Sequence, residues 1–416
     1  MNKERIMVVA GVRTPFCKMG TDLSSLSAAD LGRTAVSALL TKLDMDPQII
    51  EEVILGCVAQ PADAMNLARV VALRSGIPKH IPAVTVHRNC ASGCEAITDA
   101  FNRIRAERGD VYLVGGVESM SAAPLLFSKD AASKFTVLAR AKSNLQKLAA
   151  LVAFRPSDFA PVAGLRLGLN DPVSGLNMGQ TAEILAREFG VSRGEQDAFA
   201  LESHLRASAA KEKMKEEIIP AYDLKRGKAI IEDNGIRPGQ TLEALAKLRP
   251  VFEKGTGTVT AGNSSQITDG AVALLIASES AVRKLGVEPL GVISDYAYVG
   301  CDPSRMGIGP VYAIQRLLKH SKHTLEEADI IEINEAFAAQ VLAVTRLLKQ
   351  EGIGEIDPAK LNVNGGAIAL GHPVGATGAR IVLTALKELE RRNAKQAIAS
   401  LCVGGGQGAA LWLERP

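Results

Sequence analysis

The chain has 416 residues, more than a single hydrophobic core usually serves, which predicts two or more packed units. Apolar residues make up 47% and aromatic residues 4%, and the formal net charge is only +3. This composition is typical of a globular enzyme and argues against a nucleic-acid partner, because a strong basic bias and stacking aromatics are both missing. The six cysteines are scattered, which argues against a disulfide framework and favours a reducing compartment.

The first residues, MNKERIMVVAG, join a basic start to a short apolar run that is soon followed by Arg13. This pattern predicts a buried first strand rather than a signal peptide. No stretch has the length and apolar character needed to span a bilayer. We therefore expect a cytoplasmic protein, with import into an organelle as the alternative.

Short β-branched runs alternate with longer segments of helical period along the whole chain, which predicts an α/β architecture. In the first half the predicted order is strand IMVVAG, a helix over 27–43, and strands VILG, AVTV and VYLVGG, with a helix before the last. In the second half it is strand IIEI, a helix over EAFAAQVLAVTRLL, strand LNV, a second helix and strand AIASLCVGGG.

The two halves form a weak internal repeat. Residues 35–56 read as helix, polar link and strand, and residues 311–334 read the same way. Further on, AVTV leads through HRNCASG into a helix, and LNV leads through NGGAIALGHPVGATG into a helix. The repeat predicts a pseudo-two-fold arrangement that brings matching turns together.

Residues 121–266 interrupt the repeat and are richer in charge and turns, which indicates a long insertion that covers or lines the site. The predicted boundaries are 1–120 plus 267–287 for the first half, 121–266 for the insertion and 288–416 for the second half. Within the insertion, 129–155 is basic and amphipathic. We favour a packed or solvated helix there, with contact to a membrane surface as the alternative.

Cys90 lies at a predicted strand-to-helix turn, NCASG, where small neighbours leave its sulfur accessible. The start of a helix stabilises a thiolate, so the position suits a nucleophile, although a buried structural cysteine is the competing interpretation. His372 occupies the corresponding turn of the second half. A histidine delivered to a cysteine is the common way to generate a thiolate at neutral pH.

Cys402 ends a predicted buried strand and opens the run VGGGQG. The glycines match neither a P-loop nor a dinucleotide turn, and they allow backbone N–H groups such as that of Gly404 to face an oxyanion. A second cysteine beside them can serve as a general acid and base. Asn334 follows strand IIEI, and spacing alone favours a helix N-cap over an amide that holds a water or carbonyl oxygen. The dispersed histidines do not indicate a metal site.

These segments together resemble the thiolase family over nearly the whole chain. The matching segments, in the family's order, are RTPF (13–16), NCASG, GGVESMS (115–121), NMGQTAE (177–183), AKLRPVF (246–252), GTVTAGNSSQITDGA (257–271), NEAF (334–337), GHPVGATGAR (371–380) and CVGGGQG (402–408). The resemblance implies a fold of two similar βαβαβαββ halves in a five-layer α-β-α-β-α sandwich, plus an inserted loop domain that holds CoA.

The resemblance also implies the roles of the site residues. Cys90 is the acylated nucleophile, His372 its activator and Cys402 the acid and base for the second substrate. Asn334, with a water, and His372 form one oxyanion hole, and the backbone amides of Cys90 and Gly404 form the other. Glu335 orients its neighbours from a second layer.

The CoA contacts that the resemblance implies are Met178, Ala261 and Ser265, with Arg226 in the cluster Lys225, Arg226 and Lys228 as a looser candidate for the nucleotide phosphates. CoA acts as a co-substrate, and no permanently bound cofactor is expected.

The function implied is that of a 3-ketoacyl-CoA thiolase of the fatty-acid β-oxidation type, with acetoacetyl-CoA thiolase as the alternative. A non-catalytic acyl-CoA or lipid carrier on the same fold is disfavoured, because Cys90, His372 and Cys402 are all present. Expected partners are acyl-CoA substrates, a second copy in a homodimer or homotetramer, and an enoyl-CoA hydratase/3-hydroxyacyl-CoA dehydrogenase subunit.

Overall fold

The structure, a computed structural model, describes residues 4–416. Its strands are β1 (Ile6–Arg13), β2 (Cys17–Lys18), β3 (Glu52–Gly56), β4 (Ala83–Val86), β5 (Val111–Glu118), β6 (Leu125–Leu126), β7 (Val162–Ala163), β8 (Ala221–Asp223), β9 (Lys228–Ile230), β10 (Thr268–Ser278), β11 (Gly291–Gly300), β12 (Ile330–Ile333), β13 (Gln396–Val403) and β14 (Gln407–Glu414).

The α-helices are α1 (Ala28–Leu43), α2 (Leu67–Arg74), α3 (Ser92–Arg105), α4 (Lys129–Arg140), α5 (Asn144–Val152), α6 (Gly164–Gly168), α7 (Met178–Glu188), α8 (Arg193–Ala209), α9 (Lys211–Met214), α10 (Leu242–Ala246), α11 (Glu279–Leu285), α12 (Gly309–Ser321), α13 (Ala338–Gln350), α14 (Ala367–Leu370) and α15 (Val374–Arg392). Short 3-10 turns lie at Pro47–Ile49, Met120–Ala122, Pro156–Phe159 and Pro303–Ile308.

Helix α1 shows how local sequence sets these boundaries. Ser27 accepts a hydrogen bond from the backbone N–H of Asp30, and the Asp30 carboxylate accepts one from the backbone N–H of Ser27, which forms a capping box. Leu31, Ala35 and Leu39 recur every four residues and are buried. The helix predicted over 27–43 is therefore confirmed to within one residue.

The main sheet repeats one strand order in two halves. The first half runs β1-β10-β5-β3-β4, and the second runs β11-β14-β13-β12. The halves join where β1 pairs with β11 over the three residues from Ile6 to Val8. Each half is mixed: β3 is parallel to both β4 and β5, whereas β10 is antiparallel to β1 and β5.

Three of the clusters of buried apolar residues define five layers. One cluster packs α1 and α2 on one face of the first half-sheet. The central cluster packs α3 and α15 between the two half-sheets. A third packs α12 and α13 on the outer face of the second half-sheet. The predicted α-β-α-β-α sandwich of two similar halves is confirmed.

One predicted strand is largely absent. The segment LNV contributes only a single bridge, from Leu361 to Ile331. Asn362 adopts a left-handed backbone conformation with φ of 44°, and its side-chain amide hydrogen-bonds both backbone groups of Ile333. The side chain thereby replaces the ladder that a regular strand would have made.

The described chain divides into two compact units, one of residues 4–122 with 171–416 and one of residues 123–170. The smaller unit contains α4 and α5, so the predicted helical stretch at 129–155 is confirmed as two helices. A cluster of Phe127, Phe135, Phe154 and Phe159 packs within it. No helix among the described residues is long and apolar enough to cross a membrane.

Candidate active site

The turn that carries Cys90 connects β4 to α3. Asn89 has φ of 44°, a conformation that asparagine tolerates better than most residues. The Ser92 hydroxyl donates to the carbonyl of Asn89 at 2.7 Å and accepts from the backbone N–H of Arg88 at 2.9 Å. These bonds close the turn just before α3 begins at Ser92. They hold Cys90 beside the first turn of that helix.

Two backbone N–H groups point at the Cys90 sulfur. One belongs to Gly404 and the other to Cys90 itself. Burial raises the pKa of the Cys90 thiol, and these two hydrogen bonds oppose that rise because they stabilise the thiolate. The Asn89 side chain donates to the carbonyl of Gly404 at 2.8 Å, which ties the VGGGQG turn to the cysteine turn.

Cys402 lies near the end of β13, in the hairpin that β13 forms with β14. The residue is 1% exposed, and its pKa lies well above the usual value, first because of burial and next because of the negative charge on a Cys90 thiolate. The two sulfurs are therefore within electrostatic reach of each other. At neutral pH Cys402 is a neutral thiol that can donate a proton.

His372 precedes α15 and is 8% exposed. Its Nδ1 lies 2.6 Å from the Thr377 hydroxyl, which in turn donates to the carbonyl of Pro373 at 3.0 Å. Because that hydroxyl donates its proton to the Pro373 carbonyl, it can only accept from Nδ1. Nδ1 therefore carries the proton of the imidazole, and Nε2 is the base. Nε2 is buried and has no hydrogen-bond partner among the described residues.

The charge state of His372 follows from its surroundings. Burial, with a smaller contribution from the positive charge of Arg380, lowers the pKa of His372 to about 4. The imidazole is therefore neutral at physiological pH, as a proton acceptor must be.

Close packing of α3 on α15 brings the two turns together. A Cβ on Gly93 would lie 2.5 Å from the backbone nitrogen of Ala379 and 3.2 Å from the carbonyl oxygen of Gly375. A Cβ on Gly378 would lie 2.6 Å from the backbone nitrogen of Cys94. The two helices thus touch within one or two turns of their first residues, as the repeat predicts.

Asn334 is not a helix cap, so that interpretation of its role was wrong. Helix α13 begins at Ala338 with Phe337 in the N-cap position. The backbone of Asn334 continues β12 instead, donating to the carbonyl of Ser400 at 3.0 Å, two residues before Cys402. Both polar atoms of its side chain are buried without a hydrogen-bond partner among the described residues. Such an amide is available to a substrate oxygen or a water.

Glu335, in the segment NEAF, is hydrogen-bonded to the segment that precedes His372. Its carboxylate accepts from the Ser203 hydroxyl at 2.6 Å, from the Asn362 amide at 2.9 Å and from the backbone N–H of Ile368 at 3.2 Å. A Cβ on Gly366 would lie 2.2 Å from the Glu335 carboxyl carbon, so only glycine fits there.

The predicted CoA residues are placed unevenly. The Met178 sulfur lies 3.5 Å from the position of a Cβ on Gly404, beside the cysteine turn. Ser265 donates its backbone N–H to the carbonyl of Ala336 at 2.9 Å, and Ala261 is exposed in the same turn.

The basic candidates lie on the β8–β9 hairpin. Arg226 pairs with Asp223 of that hairpin at 3.5 Å, and Lys228 pairs with Asp22 at 2.6 Å. Among the described residues no contact joins either cation to the cysteine turn. The described residues also contain no cluster of three potential metal ligands.

Three residues around the site could not be assigned a role from the sequence. Thr377 orients His372, Asn89 orients the backbone of Gly404, and Glu118 lies beneath both turns. Each lies inside a segment that was singled out, GHPVGATG, NCASG or GGVESMS. A polar residue five positions after a candidate base, at the first turn of a helix, is the kind of signal that identifies an orienting partner.

A partly buried thiol faced by two backbone donors, with a second thiol and a neutral imidazole nearby, suits acyl transfer through a thioester. The two-half sandwich around this site agrees with the two protein families that the chain matches. The thiolase N-terminal domain family matches residues 6–280, and the thiolase C-terminal domain family matches residues 287–415.

The chain is also similar to individual proteins over nearly its full length. An acetyl-CoA acetyltransferase of Chromobacterium violaceum is 42% identical, covering 99% of this chain and 100% of that protein. A 3-ketoacyl-CoA thiolase of Yersinia pestis is 39% identical, covering 99% and 97%. The crystal structure of human mitochondrial 3-ketoacyl-CoA thiolase in complex with CoA is 41% identical, with a TM-score of 0.88, covering 99% and 98%. The chain therefore belongs to the thiolase family, and it is an acyltransferase.

Proposed function

We propose that the protein catalyses the thiolytic cleavage of a 3-ketoacyl-CoA by free CoA, and the reverse condensation, through an acyl group on Cys90. The observation that carries the proposal is the convergence of the Gly404 and Cys90 backbone N–H groups on the Cys90 sulfur. Donors placed there stabilise a thiolate before the reaction and a thioester oxyanion during it. CoA is a co-substrate rather than a resident cofactor.

The first half-reaction begins when Nε2 of His372 takes the proton of the Cys90 thiol. The thiolate attacks the 3-keto carbon, and the resulting oxyanion collapses with cleavage of the bond between C2 and C3. The leaving group is the enolate of acetyl-CoA, whose oxygen is held by the protonated His372 and by a water on Asn334. Cys402 gives its proton to C2, and acetyl-CoA departs.

The second half-reaction returns each group to its starting state. Free CoA gives its thiol proton to the Cys402 thiolate and attacks the acyl carbon on Cys90. Collapse of the tetrahedral intermediate releases an acyl-CoA that is two carbons shorter, and the Cys90 thiolate recovers its proton from His372. Two steps through a covalent intermediate replace one difficult displacement and give ping-pong kinetics.

The test is to incubate the protein with a 3-ketoacyl-CoA in the absence of free CoA and to locate the acyl adduct by mass spectrometry. We expect one acyl group on Cys90 and release of acetyl-CoA. The control is Cys94→Ala, which removes a buried thiol of α3 and should leave the adduct in place. An adduct on another residue, or none in a folded protein, contradicts the proposal.

The preferred substrate is the finer question. We propose a β-oxidation type enzyme that accepts longer 3-ketoacyl chains, since a full-length relative carries the name 3-ketoacyl-CoA thiolase. The alternative, an enzyme restricted to acetoacetyl-CoA, is favoured by the acetyl-CoA acetyltransferase relative. Thiolysis rates across chain lengths from four to about sixteen carbons distinguish them, because the alternative requires a steep fall after the shortest substrate.

We propose that CoA binds along Met178, Ala261 and Ser265, within the inserted segment 121–266, and that Arg226 contributes only long-range attraction to the phosphates. The position of Met178 beside Gly404 supports the first part, and the pairing of Arg226 with Asp223 supports the second. Titration of CoA into Met178→Ala and Arg226→Ala should weaken binding mainly in the former.

We propose that the protein is a homodimer or homotetramer in the cytoplasm. Strand β4 ends the main sheet and pairs only with β3 among the described residues, so its outer edge is open to a second copy. Light scattering on Thr85→Pro, which blocks this edge, should report a loss of oligomer.

The unit of residues 123–170 exposes several apolar side chains, among them Leu145 (79%), Leu148 (60%) and Val152 (78%) on one face of α5. We propose that this face packs against another protein, a second copy or a hydratase/dehydrogenase subunit. A membrane surface is the alternative. Co-sedimentation with anionic vesicles would favour it, and Leu148→Ser with Val152→Ser should abolish whichever association occurs.

A further inference from the structure

A single buried carboxylate lies at the junction of the two catalytic turns. Glu118 ends β5, is completely buried, and accepts four hydrogen bonds. Its Oε1 accepts from the backbone N–H of Ala59 at 2.9 Å and from the Cys57 thiol at 3.9 Å. Its Oε2 accepts from the backbone N–H groups of Gly375 at 2.9 Å and Val58 at 3.2 Å.

These bonds link the two helices that carry the site. Gly375 is the second residue of α15, whose first turn fixes His372 through Thr377. On the other side, Gly56 lies directly against α3, since a Cβ on Gly56 would lie 2.5 Å from the backbone carbonyl carbon of Ser92. Glu118 therefore binds the start of the histidine helix and the loop that supports the start of the cysteine helix.

Backbone atoms pack closely at this junction. A Cβ on Gly116 would lie 2.0 Å from the carbonyl oxygen of Gly375, and a Cβ on Gly375 would lie 2.7 Å from that of Val117. Among these close backbone contacts, the Glu118 carboxylate joins the loop at 57–59 to the first turn of α15.

Glu118 is also a charge without a counter-ion. No lysine, arginine or histidine whose side chain the structure describes pairs with it, and its ligands are N–H groups and one thiol, all of which donate. Burial raises the pKa of Glu118 to about 7, against the opposing effect of these bonds. Its negative charge contributes to the raised pKa of Cys90. Such a charge disfavours a nearby thiolate.

We propose that Glu118 is a positioning residue of the acyl-transfer reaction, one that sets the distance between His372 and Cys90 and holds the pair neutral until substrate arrives. This inference rests on the acyl-transfer function proposed above. Glu118 does not touch the reacting atoms, and it acts through the first turn of α15 and the loop at 57–59.

The test separates its charge from its length. In Glu118→Gln the length is kept, the charge is lost, and the amide N–H₂ faces N–H donors. In Glu118→Asp the charge is kept and the reach is one methylene shorter. The readouts are kcat, KM, and the pH midpoint for alkylation of Cys90 by iodoacetamide, located by mass spectrometry. The last readout needs no acyl-CoA, so it remains informative if the proposed function fails.

Burial and, next, Glu118 raise the pKa of the Cys57 thiol, so Glu118→Gln should lower it as well. Three titratable groups other than Glu118 lie near this pair. They are Cys57 on the loop after β3, Cys402 on β13 and Arg380 on α15. We expect the kcat of Glu118→Gln to fall on the order of 10²-fold with little change in KM, because displacement of the base slows only the chemical step. Its alkylation midpoint should move to lower pH, because the opposing charge is gone.

The kcat of Glu118→Asp should fall, whereas its pH midpoint for alkylation of Cys90 should stay close to that of the wild type. The control is Glu217→Gln, a buried carboxylate paired with Arg13, which should lower stability without moving the midpoint. A wild-type midpoint in folded Glu118→Gln means that Glu118 only supports the fold and overturns the proposal. If Glu118→Gln does not fold, a wild-type kcat in Glu118→Asp overturns it equally.

Discussion

The two turns that carry Cys90 and His372 occupy equivalent places in the two halves, yet they are built differently. The first is partly buried, and polar groups of the turn itself, Asn89 and Ser92, hold it. The second is buried, and Thr377 and Glu118 hold it from α15 and from the opposite half. One sheet-to-helix frame thus presents a sulfur to substrate and shields an imidazole from water.

The difference has a chemical consequence. A nucleophile must be reached, whereas a base must stay neutral at working pH, and burial is what lowers the pKa of His372 to about 4. The Cys90 turn is less buried than His372, which keeps the sulfur within reach of substrate. The duplication of the fold supplies two equivalent places, and the difference in burial assigns their roles.

The largest effect is expected at the turn of Cys90. Cys90→Ala should lower kcat by roughly 10⁴-fold or more, since no other thiol at the site is both accessible and faced by two backbone donors. Steady-state thiolysis measures this. Cys94→Ala, four residues further along the same helix, should retain most activity because Cys94 is buried against α15. Comparable losses in both variants would mean that the exposure of Cys90 has no special role.

The buried turn should follow with a somewhat smaller loss. His372→Asn removes the base and should lower kcat by roughly 10²- to 10⁴-fold. Alkylation of Cys90 at neutral pH should slow as well. The matched control is His204→Asn, since burial also lowers the pKa of His204 to about 4 and its Nδ1 accepts only from the backbone N–H of Arg237. Equal losses in the two histidine variants would remove the distinction between them.

The two turns should also differ in how stability depends on pH. His372 has a folded pKa near 4 and an unfolded pKa of 6.5, so the unfolded chain binds its proton first as the pH falls. The stability that neutral His372 contributes is therefore present above about pH 6.5 and is lost towards pH 4, amounting to roughly 3 kcal/mol.

Other buried groups also titrate in this pH range, and their contributions to stability have both signs. The contribution of His372 is therefore measured by comparing variants. Chemical denaturation at pH 7 and pH 4.5 should show a smaller acid loss for His372→Asn than for the wild type. Cys90→Ser should match the wild type, because the Cys90 thiol has a raised pKa and does not titrate there. Parallel pH curves for all three would show that the His372 imidazole is not buried in a neutral form.

Much of this organisation could be predicted from the sequence. Strands AVTV and IIEI match β4 and β12 residue for residue, because short β-branched runs between turn residues leave few alternatives. The equivalence of the Cys90 and His372 turns followed from the repeat. Their close approach depends on Gly93 and Gly378, whose packing partners are about 280 residues away in the chain.

The remaining features depended on contacts that no local pattern encodes. Spacing favoured a cap at Asn334, but α13 starts three residues later than that interpretation required, and the amide is left unpaired. The predicted strand LNV does not form a regular ladder, because the side chain of Asn362 makes the hydrogen bonds to the Ile333 backbone instead. The importance of Glu118 became visible only when Gly375, 257 residues away, was placed beside it.

The smallest of these effects concerns the partner that orients the buried imidazole. Thr377→Val keeps the shape of the side chain but removes the acceptor for Nδ1–H, so His372 loses the bond that fixes its tautomer. We expect kcat to fall about tenfold or less, as for one neutral hydrogen bond, and stability to fall by roughly 1–3 kcal/mol because a buried N–H is left unpaired.

Thr384→Val is the matched control for this loss. Thr384 lies two turns further along α15 and donates to the buried carboxylate of Glu217 at 3.1 Å. Its removal should lower stability by a similar amount and leave kcat unchanged. A fall in kcat for both variants would trace the effect to a weakened helix, whereas a fall for Thr377→Val alone ties it to the orientation of the base.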